Sequence, residues 1–419
     1  MKNKLRLLAF IFSFILIVLE SYSQLSRMRM TTDFSSFALS GIAPIFKIGN
    51  PYINYWGINP PGLLFFIFSW GLIAGTTLKS FHILYLLLIF SITHFSWKIF
   101  NKTFNLYESF FIFFIFLILF FSNTVQSQFF PSELNGLFFA MLGLNFTLKK
   151  KITNKNLFFA SLFFILAGQM KEVYAFTGLS LFPHFLLKIN SKKNDLYKFI
   201  ITTITGIFSG ILIISLYLLV NNALFEYKNI LKYKSSQFSI NDFEKIASNT
   251  FKSLQLPIDR FIQFKYQIII ILILSLIFFL INISLNSKYK NKKGLNNLSI
   301  TINFPKKTFK YATVLFFWIG SMLGYILQGR FGNKYEIAII FPMLVVVSLS
   351  IKIILKTLIQ FFNIKMKNAI YISLTIFLLA VFLMPKKLFF KEHYENLLDY
   401  SINTHIHKFF NLENQESLN

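Results

Sequence analysis

Residues 30–62 read MTTDFSSFALSGIAPIFKIGNPYINYWGINPPG, the first long polar interruption in a chain that is otherwise oily. One acid, Asp33, stands in it, with Arg27 and Arg29 before it and Lys47 after it. The segment closes on Asn50-Pro51-Tyr52, Tyr55-Trp56 and Asn59-Pro60-Pro61-Gly62. Proline lacks an amide proton and drives the residue before it out of the α region. These clusters therefore stop a helix and predict an extended, aromatic loop. An isolated ionisable group beside such a loop predicts that Asp33 lies at the mouth of a membrane-embedded site.

The surrounding chain sets the class. Of its 419 residues 55% are hydrophobic and only 14% charged, and the mean hydropathy is +0.59. Apolar runs of about 17–25 residues recur, the length that a bilayer demands of a helix. The chain therefore reads as an all-α polytopic membrane protein; the alternating ten-residue segments of a transmembrane barrel are absent. Spans are predicted at about 5–24, 80–97, 107–122, 134–148, 156–170, 173–188, 199–221, 266–286, 311–328, 335–355 and 368–385, eleven in all. Together they form one transmembrane domain, 1–385, followed by a polar tail, 386–419. The first run follows Lys2, Lys4 and Arg6 without a small-residue cleavage site, and is read as an uncleaved span.

Pro61 to Thr76 is apolar but short, and charge decides how to place it. If it lies along the membrane surface, the loops on one side carry more than half of the 42 basic residues and only two of the 16 acids, Glu108 and Asp195. Counting it as a span reverses everything after it and sends the lysine-dense loops outward, against the positive-inside bias. It is therefore expected to be an interfacial helix in the first outer loop. The N-terminus is then cytoplasmic, and segments 25–79, 123–133, 222–265 and the tail face outward. The net charge of +26 follows this loop pattern, so nucleic acid is not expected as a partner. With no cysteine, thiolate metal sites and disulfides are excluded.

Four outer stretches hold residues able to carry chemistry. Asp33 suits a general base, and equally an N-cap, since Thr31-Thr32-Asp33 precedes a helical pattern. Glu133, in Pro131-Ser132-Glu133, suits a second acid or an ordinary acidic first turn. Lys171, in Gly168-Gln169-Met170-Lys171-Glu172, suits a lipid-linked phosphate, or a turn in which Lys171 and Glu172 neutralise one another. Arg330 and Lys334, in Gly329-Arg330-Phe331-Gly332-Asn333-Lys334, suit a small anion site or an interfacial anchor. No phosphate-binding loop and no metal-ligand motif is present.

The order of these stretches resembles the GT-C class of integral-membrane glycosyltransferases, nearest to the branch of protein O-mannosyltransferases and aminoarabinose-to-lipid-A transferases. The resemblance runs over about residues 1–345. It rests on Asp33 after the first span, Gly49-Asn50-Pro51-Tyr52 with Asn59-Pro60-Pro61-Gly62, the surface helix 61–76, and Pro131-Ser132-Glu133. The Gly168–Lys171 turn and the stretch from Gly329 through Tyr335 to Pro342 complete it. The chain departs from the pattern at Glu133, where Asp is commoner, and at Lys334, where a histidine is expected.

The resemblance implies an enzyme of the inner (plasma) membrane that moves a sugar from a polyprenyl-phosphate donor to a hydroxyl of a glycan, lipid or protein at the outer face. It implies Asp33 and Glu133 as catalytic acids, and Lys171, Arg330 and Lys334 on the donor phosphate. Tyr52, Tyr55, Trp56 and Asn59 become the substrate loop. No cofactor is required; a divalent metal is left open. A transporter or flippase of lipid-linked saccharides is the competing class, although the inverted internal symmetry common in transporters is not visible.

Overall fold

The computed structural model describes residues 7, 9–11, 13–18, 32–54, 59–123, 132–149, 152–189, 193–237, 306–328, 341–346, 348–349 and 352. It is mostly helical, with no strand among the described residues. The helices are α1 (Thr32–Phe46), α2 (Pro61–Ala74), α3 (Leu78–Thr103), α4 (Leu106–Asn123), α5 (Ser132–Thr147), α6 (Asn154–Met170), α7 (Phe182–Ile189), α8 (Lys193–Val220), α9 (Leu224–Gln237) and α10 (Lys306–Gln328). Three of them, over Leu78–Thr103, Asn194–Val220 and Phe309–Leu327, are long and apolar enough to cross a membrane. The expected spans 266–286 and 368–385, and the tail 386–419, lie outside the described residues.

Local signals explain where these helices begin. Pro61 opens α2 at the one position where a missing amide costs nothing. The Thr77 side chain accepts from Ser80 N at the start of α3, and Thr153 does the same for Asn156 N at the start of α6. Before α4, Asn105 and Glu108 cap reciprocally: each side-chain oxygen accepts from the other's backbone N–H, at 3.0 and 3.2 Å.

Cross-helix contacts divide the bundle into two ends. At one, Lys102 Nζ donates to the Asn145 carbonyl and side-chain oxygens at 2.7 and 2.6 Å, joining the last turns of α3 and α5. Lys310 Nζ donates to the Lys102 carbonyl at 2.7 Å and brings in the start of α10. At the other end, the start of α5 meets the end of α6 through Glu133 and Lys171.

The segment expected as a continuous span over 173–188 is corrected here. It is two 3₁₀ turns, Glu172–Tyr174 and Thr177–Leu181, followed by the short α7. It still runs from end to end, because Tyr174 bonds to Glu133 at the first turn of α5 and His184 to the Thr147 carbonyl at its last. Gly178, Pro183 and the hydroxyls of Thr177 and Ser180 weaken the regular helix here; Thr177 Oγ1 donates instead to the Tyr174 carbonyl.

The helix expected over 61–76 forms as α2. Gly62 in its first turn packs so closely on the end of α6 that a Cβ would sit 2.6 Å from the Gln169 carbonyl oxygen. Near its far end, the Trp70 indole donates to Ser80 Oγ at 2.8 Å in the first turn of α3. Both ends of α2 are thus held by helix termini away from the Lys102 end, so α2 lies over this end rather than between the two.

α10 packs on the 3₁₀ segment with backbone almost touching backbone: a Cβ at Gly324 would strike the Val173 carbonyl, and one at Gly320 that of Phe176. Gly324→Ala should therefore destabilise the protein by about 1–3 kcal/mol. Gly178→Ala, where only Phe164 Cβ lies within reach at 3.8 Å, should stay within about 0.5 kcal/mol of wild type. Melting of the two variants in detergent checks the difference.

Candidate functional site

Glu133 stands in the first turn of α5, and its side chain is 1% exposed. Lys171 closes α6 in an extended conformation, φ −157° and ψ 130°, which sends its side chain across to α5. Its Nζ lies 3.2 Å from Glu133 Oε1. That contact is Coulombic and lacks hydrogen-bond direction, since Oε1 accepts no hydrogen bond from the described residues. Ser132 Oγ donates to Oε2 at 3.2 Å, and the Tyr174 hydroxyl donates to the Glu133 backbone carbonyl at 3.0 Å. The Tyr174 ring fits because residue 136 is glycine; a Cβ there would run into the ring.

Lys171 therefore pairs with Glu133, whereas one sequence reading paired it with Glu172. The charge of Glu172 is felt by the tyrosines of the 50–60 loop and of α9. Tyr52 is 2% exposed, its ring 5.3 Å from that of Tyr227, and its hydroxyl donates to the Asn59 carbonyl at 2.5 Å. Burial raises the Tyr52 hydroxyl well above its ordinary value, and Tyr227, Tyr217 and Glu172 push the same way. Burial followed by Glu172 raises Tyr227 also. Tyr52 keeps its proton and donates it, so it closes the loop as a strut, with Asn59 as the other foot. The strut holds Tyr52 at φ 67°, a left-handed conformation costly for an aromatic residue.

Asp33 falls in the first turn of α1, one residue after the Thr32 start. Gly41 packs on Ile67, and Ile45 on Gly71, so α1 and α2 run parallel. The Asp33 end of α1 thus lies at the Gly62 end of α2, which abuts Gln169, two residues from Lys171. Tyr55, Trp56, Arg330 and Lys334 lie outside the described residues.

The structure adds residues that the sequence did not single out. Asn135 is fully buried two positions after Glu133, and neither its amide nitrogen nor its oxygen has a partner among the described residues. A buried amide in that state marks a place where a polar group is wanted. Its only sequence signal is a polar residue in an apolar helix, which is weak alone. Tyr174 and Tyr227 had no signal, because aromatic residues crowd every helix here. Among the described residues no three of His, Asp and Glu gather closely enough to hold a metal ion.

Fold and site define a helical protein with membrane-length apolar helices and a buried acid–lysine pair at one end. Comparison with protein-family models, with characterised proteins and with solved structures finds no match for the chain.

Breaking one partner of a buried pair leaves a desolvated charge, whereas removing both often costs little. Lys171→Met should therefore destabilise by about 3–5 kcal/mol, and Glu133→Leu/Lys171→Met should recover most of that loss. Additive single-variant losses in a detergent melting cycle would show that the two groups are not coupled.

Proposed function

We propose that the chain is a membrane glycosyltransferase that moves a sugar from a polyprenyl-phosphate donor to an acceptor hydroxyl at the outer face of the inner membrane. The reading rests above all on the buried Glu133–Lys171 pair, 3.2 Å apart. A carboxylate and an ammonium are the two charges that such a transfer needs, one for the proton and one for the leaving group. The Asp33 end of α1 and the Asn59–Gly62 loop border the same end, which fits the order of motifs in the sequence.

In the proposed reaction the donor phosphate draws the Lys171 ammonium away from Glu133. The freed carboxylate, with Asp33, then accepts the proton of the acceptor hydroxyl. The bond from acceptor oxygen to anomeric carbon forms as the bond from anomeric carbon to phosphate oxygen breaks, releasing polyprenyl phosphate. Lys171 stabilises the charge as it develops on that phosphate. Arg330 and Lys334 are proposed to share this task.

Full-length protein in lipid nanodiscs, given a labelled polyprenyl-phosphate sugar and cell-envelope acceptors, should release free polyprenyl phosphate. Asp33→Asn and Glu133→Gln should each slow release by about 10²–10⁴-fold while the protein still inserts, and Lys171→Ala should raise the donor KM. In sealed vesicles, movement of intact donor across the bilayer without cleavage would identify a flippase instead. Near-normal transfer by Asp33→Asn would remove that residue from the mechanism.

A further inference from the structure

Four asparagines are buried among the described residues: Asn135, Asn145, Asn156 and Asn221. Three of them have a side-chain partner. Asn145 accepts from Lys102, Asn156 accepts from Lys149, and Asn221 donates to the Tyr217 carbonyl. Asn135 is the most deeply buried of the four, at 0% exposure, and both its amide nitrogen and its amide oxygen lack a partner among the described residues. A carboxamide stripped of water and given nothing in return costs stability. Such a group is kept where a molecule that binds later supplies the missing bonds.

Its position narrows what that molecule is. Asn135 lies two residues after Glu133 in the first turn of α5. Side chains of a helix lean toward its N-terminus, so the amide projects toward the end at which Ser132 and Glu133 sit. Phe138 and Phe139, three and four positions further on, share its face of the helix. Phe138 packs on Phe95 of α3 at 6.3 Å and Phe139 on Phe66 of α2 at 5.8 Å. A donor and an acceptor in one rigid plane thus stand beside aromatic rings and within a turn of a carboxylate. A neutral polyol matches that set: two neighbouring hydroxyls satisfy both ends of one carboxamide, and the C–H face of a sugar ring packs on aromatic carbon. An anion matches it poorly, since it would use the nitrogen alone and leave the oxygen unpaired.

We propose that Asn135 binds the transferred sugar, its amide nitrogen donating to one ring hydroxyl and its amide oxygen accepting from the neighbouring one. This rests on the glycosyltransferase reading for the lipid phosphate that carries the sugar. Neither amide atom takes part in the bond changes. The amide fixes how the sugar ring sits relative to Glu133, and so selects which arrangement of hydroxyls is accepted. The free protein bears the cost of the unpaired amide, and the bound sugar removes it.

Two measurements on the full chain test this. In detergent without ligand, Asn135→Leu, a swap of nearly equal shape, should melt at or above the wild-type temperature, whereas Asn145→Leu, which removes an acceptor of the Lys102 ammonium, should melt below it. A lower melting temperature for Asn135→Leu would mean that the amide is already satisfied, by trapped water or by the rest of the chain, and would overturn the proposal. In nanodiscs, binding of polyprenyl phosphate is compared with binding of its glucosyl, galactosyl and mannosyl forms, which between them present neighbouring hydroxyls in cis and in trans. Wild type should bind at least one glycosyl form more tightly than the bare lipid phosphate. Asn135→Leu should weaken that form roughly tenfold and leave the bare phosphate unchanged. Equal binding of all four lipids by wild type, or equal weakening of bare and glycosylated lipid in the variant, would remove the sugar contact. Tight binding of a glycosyl form without turnover would sink the transfer reading and leave the role of Asn135 in place.

Discussion

A carboxylate that is almost wholly removed from solvent is expensive unless a cation stays beside it, and the Glu133 end is arranged to keep that cation in place. Lys171 can reach Glu133 because α6 stops one residue earlier, with Met170 as its last helical residue. α6 stops there because the next residues turn into 3₁₀, and that turn delivers Tyr174 to the Glu133 carbonyl. Glycine at 136 makes room for the Tyr174 ring, and glycine at 62 lets α2 lie against Gln169. Each of these contacts presupposes the next. An ion pair of this kind adds little net stability over an apolar pair of the same size, but it penalises any arrangement that separates its members. It therefore fixes which helix ends meet.

The two ends of the bundle hold their charges differently. Around Glu133 opposite charges are paired one to one inside the protein. At the Lys102 end, Lys102 bonds to Asn145 and Lys149 to Asn156, both neutral, while Lys352 pairs with Glu108. A bilayer rewards such a difference, since an anionic leaflet draws lysines to one side and tolerates acids better on the other. Lys102 is joined to Asn145 and Lys310 to the Lys102 carbonyl, so the last turns of α3 and α5 and the start of α10 meet at this end.

What the sequence disclosed depended on the kind of signal. The helices α3, α5, α6 and α10 were legible because long apolar stretches with threonine or proline at their starts leave few alternatives, and α8 by the length of its apolar run. α2 was legible as a helix from Pro60-Pro61 and the apolar run after it; its expected place along the membrane surface came only from the charge balance of the loops behind it, since its own composition suits a short span equally well. Glu133 and Lys171 were marked as separate candidates, but nothing in their spacing of 38 positions brings them together. That required the antiparallel packing of α5 and α6, which sequence periodicity does not report. Tyr52, expected in the substrate loop, donates its hydroxyl to the Asn59 carbonyl and so closes that loop. A tyrosine with its hydroxyl on a carbonyl looks the same in sequence as one offered to a ligand.

The broken crossing at 172–189 shows why hydropathy misjudged one element while finding its ends. Hydropathy measures the tendency of side chains to leave water, which is unchanged whether the backbone rises 1.5 or 2.0 Å per residue. The 3₁₀ form has a consequence that a straight helix would not. Lys171 leaves the helical path in an extended conformation and its ammonium meets Glu133, while the charge of the next residue, Glu172, acts on Tyr52 and Tyr227. Had α6 continued unbroken, the two residues would stand about 100° apart on one helix. The irregular turn is thus what separates an acid–lysine pair from a second acid set among tyrosines, within two consecutive residues.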